Sequence, residues 1–349
     1  VGWRALLDCA DEHQLLPALW AALRSRGVAP LPQGLRDTAD APLAILERAY
    51  QENAARVRDL HDQTRSVLRT LNDTTVDALP IKGAHWLMVG LVPDPVTRVM
   101  VDVDVLVPPG QVPAAMSALH ARSYEPAPVP DDAEPSDHQV TPLTLPGRCG
   151  SVELHVEPMV RHWRHLLTGD ELRADAVDVA ADGACIQIPS ATHAMVLLIG
   201  HAQLQDETAR LLRLPLRALY DVSVVAPMLA PMIDWDRLHD HFRRAHALWA
   251  LAGFAVAADE LFHVDLPLPT RGGHAWLQAT TWAVDRPALA HTYREVVSIP
   301  RALDRERMGR LYGADEGLRL AIARTRHVVR GVARRLTGPA TERAPRPGG

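Results

Sequence analysis

The run Val101-Asp102-Val103-Asp104-Val105-Leu106-Val107 constrains this chain more than any other stretch. Its β-branched residues predict a strand, and Pro108-Pro109-Gly110 ends it. Alternate residues of a strand share a face, so Asp102 and Asp104 present their carboxylates side by side. Two like charges on an otherwise apolar strand are costly unless a cation sits between them. Mg²⁺ suits that place, as a hard ion that takes carboxylate oxygen and keeps water or phosphate in its other positions. Glu153, in Val152-Glu153-Leu154-His155, has similar surroundings and is placed to complete the site from a neighbouring strand.

Upstream stands Lys82, and the sequence holds no other lysine. A chain whose basic residues are otherwise arginine keeps a lysine where a compact ammonium is needed. The functional reading is a point charge directed at a phosphate. Val76 to Ile81 predicts a short strand feeding Lys82-Gly83, and Ala84 to Leu91 a helix. Gly83 then falls at a helix N-terminus, where free N–H groups and the helix dipole favour an anion.

The order Lys82-Gly83, a helical stretch, Asp94-Pro95, Arg98 and then Asp-x-Asp on a strand resembles the nucleotidyltransferase superfamily that includes DNA polymerase beta. More narrowly, it resembles the bacterial uncharacterised nucleotidyltransferase family. Lys82-Gly83, Arg98 to Asp104, and Val152 to His155 match that family's pattern in order, within a region from residue 76 to residue 225. One departure is Gly83-Ala84, where superfamily members often have Gly-Ser. No serine hydroxyl is then available at that turn to touch a nucleotide phosphate.

The resemblance implies transfer of a nucleotidyl group from a nucleoside triphosphate, ATP foremost, to an acceptor with release of pyrophosphate. Two Mg²⁺ ions roughly 4 Å apart would serve it. Asp102 and Asp104 would both contact the ion carrying the triphosphate and share the second ion with Glu153. Glu153 is read as ligand or as the base taking the acceptor proton, two roles that sequence does not separate. Backbone N–H groups of Gly83 and Ala84 would cradle the β and γ phosphates, with Lys82 nearby. Arg98 would contact the triphosphate or orient Asp104 through a bidentate pair. His155 shares the strand face of Glu153, and is read either as positioning acceptor or nucleotide or as a histidine satisfied by backbone. His138 is a weaker candidate, and His193 and His201 are read as structural or as lining a cleft. Asp221 resembles a recurring Asp of the family's helical part, with a helix-packing pair to Arg217, at i−4, as the ordinary alternative.

The expected fold class is α+β, a mixed-sheet nucleotidyltransferase-like core with N-terminal helices and a C-terminal helical domain. The divisions are an N-terminal helical segment (1–74), the catalytic core (75–189), a C-terminal helical domain (190–336) and a disordered tail (337–349). Helices are expected over 2–26, 42–71, 112–122, 190–204, 206–227, 234–246, 247–262, 273–283 and 315–336, and strands over 138–145, 151–156 and 184–188. Gly27 to Gly34 reads as a connector, and the proline- and acid-rich stretch Pro126 to Ser136 as an exposed loop or a flap over the site.

At 349 residues and 47% hydrophobic content, the chain can bury a large core. A formal net charge of −5 disfavours an obligate nucleic-acid binder, despite an Arg-rich C-terminal stretch. Cys9, Cys149 and Cys185 are scattered and odd in number, which signals neither a disulfide framework nor a zinc cluster. With no apolar run of spanning length and no signal-peptide pattern, the expectation is a cytoplasmic protein without a membrane partner. Its acceptor is expected to be a small molecule or peptide, as in natural-product tailoring. The rivals are a toxin-like transferase acting on tRNA and a nucleotide- or partner-binding protein that kept the fold without turnover.

Overall fold

The computed structural model describes residues 2–27, 41–128, 136–181 and 184–303, and then 305, 308, 312, 313 and 316–326. The connector beyond Gly27, most of the Pro126–Ser136 loop, the end of the 315–336 helix and the tail lie outside the described residues. The α+β expectation holds. A five-stranded mixed sheet carries the polar centre, with helices before it and helices after it.

Helices α1 (Trp3–Glu12) and α2 (Leu16–Ser25) replace the single helical run expected over 2–26. The break has a local cause. Gln14 takes a left-handed conformation (φ 57°), and Pro17 sits in the first turn of α2, where its missing N–H is harmless. Helix α3 (Pro42–Asp73) follows, 32 residues long and therefore about 48 Å. Its buried row Leu60, Val67, Leu68 and Leu71 covers one face of the sheet, each side chain contributing about 1.5–3 kcal/mol.

The sheet order is β1-β2-β5-β4-β3, built from β1 (Leu79–Pro80), β2 (Asp102–Leu106), β3 (Glu125–Pro126), β4 (Leu143–Thr144) and β5 (Ser151–His155). β2 and β5 run parallel and the other pairs antiparallel. The register sets Asp104 beside Glu153, and Leu106 beside His155. Val103 and Val105, with Val152 and Leu154, join the cluster beneath α3. The alternate face of β2 carries Asp102, Asp104 and Leu106. Leu106 packs into the cluster of the C-terminal helices, so those helices roof the face that bears the carboxylates.

Short helix α4 (Lys82–Met88) leaves β1, and α5 (Val112–His120) follows β2. The strand expected over 138–145 is reduced to β4 and one bridge from Gln139 to His155, because Pro142 supplies no N–H for a ladder. After α6 (Gly169–Ala174), β7 (Ala184–Ile188) pairs with an unanticipated β6 (Val177–Ala181), so this hairpin stands apart from the main sheet.

The C-terminal part comprises α7 (Ala191–Gly200), α8 (Leu216–Leu229), α9 (Trp235–Arg244), α10 (Leu248–Phe262), α11 (Gly273–Asp285) and α12 (Pro287–Ala302). Residues 206–215, expected to be helical, are not. Glu207 and Leu212 take left-handed conformations, and Pro215 restricts Leu214, so a helix begins only at Leu216. α12 was not anticipated from the sequence. The three cysteines are free and exposed. No single helix among the described residues is long and apolar enough to cross a membrane.

Candidate active site

Asp104 is the hub. Its carboxylate is almost fully buried, and one oxygen, Oδ1, accepts from both Lys82 Nζ (2.8 Å) and His155 Nε2 (2.7 Å). Burial alone would raise its pKa. The ammonium and the imidazole N–H outweigh that and hold the carboxyl well below the usual carboxylate range. Lys82 is partly buried, yet Asp104, Asp102 and Glu153 keep its pKa above the ordinary lysine value. One ammonium therefore serves as the counter-ion of three carboxylates. Lys82 reaches them from a left-handed backbone (φ 50°) at the first position of α4, an uncommon conformation for a residue with a long side chain.

Glu153 and Asp102 carry the opposite shift. Burial and the charge of Asp104 push both carboxyls up, with Lys82 pulling each partly back. Asp104, Glu153 and His155 form, among the described residues, the group whose ligating atoms all lie within 4.8 Å of one another. Asp102 lies outside that trio and lines the cavity.

His155, read as a nucleotide contact or a backbone-satisfied histidine, is fully buried and bonded to Asp104 instead, with Glu153 3.7 Å away. Burial pushes its pKa down to about 4, so the ring is neutral and Nε2–H donates to the carboxylate. With Nε2 engaged, the donors that suit a hard cation are the carboxylate oxygens of Asp102, Asp104 and Glu153. His155 orients one of them. The residues present fit a divalent ion.

Of the two roles read for Arg98, the orientation of Asp104 is not found: Arg98 pairs with Asp221, Nε to Oδ2 at 3.2 Å. Its guanidinium lies over the Trp86 ring, 4.7 Å from the centroid. Gly83 permits this approach: a Cβ there would overlap Arg98 Nη1 and stand 2.7 Å from the Met100 methyl carbon. The Lys-Gly pair thus has a packing reason for its glycine. Asn53 of α3 holds the loop carrying Arg98 by donating to the carbonyls of Val96 (2.7 Å) and Arg98 (3.1 Å).

Asp221 corrects the i−4 alternative. Its partner is Arg98 from the core, while Arg217 reaches away to donate to Val99 O (2.6 Å) and to the Gln14 side chain. Arg217, Trp86 and the Glu12-His13-Gln14 corner are the cavity residues that sequence reasoning passed over. Trp86 was within reach, since it adjoins His85 in the motif stretch. The N-terminal corner has no sequence signal, because a tertiary contact between Gln14 and Arg217 of α8 joins it to the cavity.

The cavity holds about 470 Å³ between the core and the C-terminal helices. Lys82, Arg98, Asp102, Asp104, Arg217 and Asp221 line one side, and Pro189, Ala194, Leu197 and Leu198 form an apolar wall. His85 lines it too, 3% exposed, with Nδ1 unpartnered and its pKa pushed down by burial to about 4. His201 lines the cavity and meets Asp206 (3.2 Å). His193 does not; it is fully buried, edge-on to the His241 ring at 5.2 Å and 3.5 Å from Asp175. His138 stands beside His155, ring centroids 5.6 Å apart, and meets Ser136 Oγ at 3.0 Å.

The sequence profile of a family described as "Uncharacterised nucleotidyltransferase" matches residues 1–263. No curated protein and no solved structure matches the chain.

Proposed function

This chain belongs to the uncharacterised nucleotidyltransferase family, and on that premise we propose that it moves a nucleotidyl group from a nucleoside triphosphate, ATP foremost, to a small-molecule or peptide acceptor. The carrying observation is that Asp102 and Asp104 of β2 line a cavity that also presents Lys82, Arg98 and Arg217, with Glu153 of the parallel strand β5 beside Asp104. In the transfer, an acceptor oxygen bonds to the α-phosphorus as the bond to the pyrophosphate oxygen breaks, and the acceptor proton leaves.

Asp102, Asp104 and Glu153 would hold Mg²⁺, which when bound supplies charge neutralisation at the phosphates and lowers the pKa of a bound acceptor hydroxyl. His155 keeps Asp104 oriented through the Nε2–H donor. Glu153, its pKa raised by burial and by neighbouring carboxylates, is suited to take the acceptor proton at Oε. The cations of Lys82, Arg98 and Arg217 balance phosphate charge, and Gly83 lines the same cavity. The apolar wall excludes water from the reacting groups and offers a surface for a flat base or acceptor.

The test is calorimetric titration with each nucleoside triphosphate, with and without Mg²⁺, in wild type and in Asp102→Asn/Asp104→Asn. Mg²⁺-dependent binding in wild type and its loss in the variant is the expected result, and the preferred triphosphate names the base. Equal binding by the two proteins would place the ion elsewhere.

A further inference from the structure

Arg217 is bonded at the cavity by neutral groups rather than by a direct carboxylate partner. It is a partly buried guanidinium at the cavity, and among the described residues no carboxylate stands within ion-pair distance of it. Its two hydrogen bonds go to neutral oxygens, Val99 O and Gln14 Oε1. Burial, then the charge of Arg98, lowers its pKa, so the two guanidiniums are close enough to repel. Asp221 is the single carboxylate bonded to either, and it takes only Nε of Arg98. Asp221, then Asp102 and Asp206, attract Arg217 without a direct bond to it. A partly buried cation without a directly paired anion is destabilising, and a bound anion removes that cost.

The rest of the arrangement fixes the orientation of these donors. Trp86 supports the plane of Arg98, Gly83 lets Nη1 lie against the start of α4, and Val99 O with Gln14 pins Arg217. Planar forks held this way suit phosphate oxygens better than a mobile lysine would. On the other side of the pair, Asp102 and Asp104 repel any anion that approaches without a cation. The chemistry that satisfies both ends is an extended polyanion. One end sits in the arginine pair, and the other is bridged to the carboxylates by the divalent ion.

We propose that Arg217 and Arg98 together form a polyphosphate seat, with Arg217 supplying from the C-terminal helices a contact that the Lys-Gly and Asp-x-Asp motifs do not contain. The assignment of that polyphosphate to the β and γ phosphates of a nucleoside triphosphate rests on the proposed transfer; the seat itself does not. The N-terminal corner, the core loop and α8 then all meet at one anion.

The experiment uses the full chain and inorganic tripolyphosphate, titrated with and without Mg²⁺, with binding read by calorimetry and by the ligand-induced rise in melting temperature. Arg217→Gln removes the charge and shortens the side chain, and its affinity should fall roughly ten- to a hundredfold. Arg217→Lys keeps the charge and should lose clearly less than the glutamine variant. If Arg217→Gln does not fold, Arg98→Gln, which can still reach Asp221, should show a loss of similar size. Failure of wild type to bind tripolyphosphate, wild-type affinity in both glutamine variants, or equal loss in Arg217→Lys and Arg217→Gln would overturn the seat. If the Arg217-dependent binding is found but no triphosphate binds better with Mg²⁺ than without, the seat stands and the transfer reading falls.

Discussion

Replacing Asp221 by alanine should destabilise this protein more than removing Asp221 and Arg98 together. The Asp221 and Arg98 side chains are only 4% and 12% exposed and meet at 3.2 Å. Breaking such a pair from one side leaves a desolvated charge and costs about 3–5 kcal/mol. Arg98 keeps its contact with Trp86 after the change, worth about 0.5–2 kcal/mol, so the lower end of the range applies, about 3 kcal/mol. Substituting both, as Arg98→Met with Asp221→Leu, removes the charges and preserves volume, and should leave the protein within about 1–2 kcal/mol of wild type. Wild type, Arg98→Met, Asp221→Leu and the double variant form a double-mutant cycle, measured alongside Asp221→Ala by urea unfolding followed by far-UV circular dichroism. For a cooperative chain of 349 residues, about 3 kcal/mol corresponds to a fall in melting temperature of about 4 °C. An Asp221→Ala protein within about 0.5 kcal/mol of wild type, or strictly additive effects, would refute the reasoning. The ion pair would then be exposed to water in solution.

Gly83→Ala places a methyl group against Arg98 and Met100, both flexible side chains, so a cost of about 1–2 kcal/mol is expected, with a larger rise in KM for the triphosphate than fall in kcat. An unchanged KM would contradict the proposed role of Arg98. Lys82 is the chain's single lysine, so an amine-selective reagent reports on it and the terminal amine alone. Its bond to Asp104 and raised pKa predict slow modification in metal-free buffer and faster modification once Mn²⁺ or Mg²⁺ competes for the carboxylates, read by peptide mass spectrometry. Modification that is fast without metal, or slowed by it, would show that the ammonium is not the resident counter-ion. His85 sits near pKa 4 in the fold against about 6.5 unfolded, so the unfolded chain binds more protons between those values and stability falls as pH drops through that window. The raised pKa values of Asp102 and Glu153 act in the opposite sense, so the measurement compares wild type with His85→Gln across pH 7 to 4.5. Wild type should lose up to about 3 kcal/mol more than the variant; parallel profiles would contradict a buried neutral imidazole.

Alternation along a strand and the order of motifs carry far because they are local. Val101 to Val107 can pair in few ways that keep Val103 and Val105 in a core, and every such way puts Asp102 and Asp104 together on the other face. That much of the polar centre was legible without a structure, as were the α+β class and the long helix over 42–73. The break at Gln14, the non-helical 206–215 stretch and the detached β6–β7 hairpin were not, since each depends on a left-handed residue, a proline's effect on its neighbour or a pairing choice that helical periodicity does not express.

By itself, then, the sequence determined which groups lie within one strand spacing of each other: the paired aspartates, the glutamate on a like strand, the lysine beside a glycine. The tertiary structure alone decided the partners. It put Lys82 and His155 on one oxygen of Asp104, gave Arg98 to Asp221 across 123 positions of chain, and sent Arg217 to Val99 and Gln14. Ion pairs and hydrogen bonds of this kind depend on distances of about 3 Å between atoms from remote segments. Those distances are set by how helices pack over the sheet, and residue spacing along the chain carries no record of them.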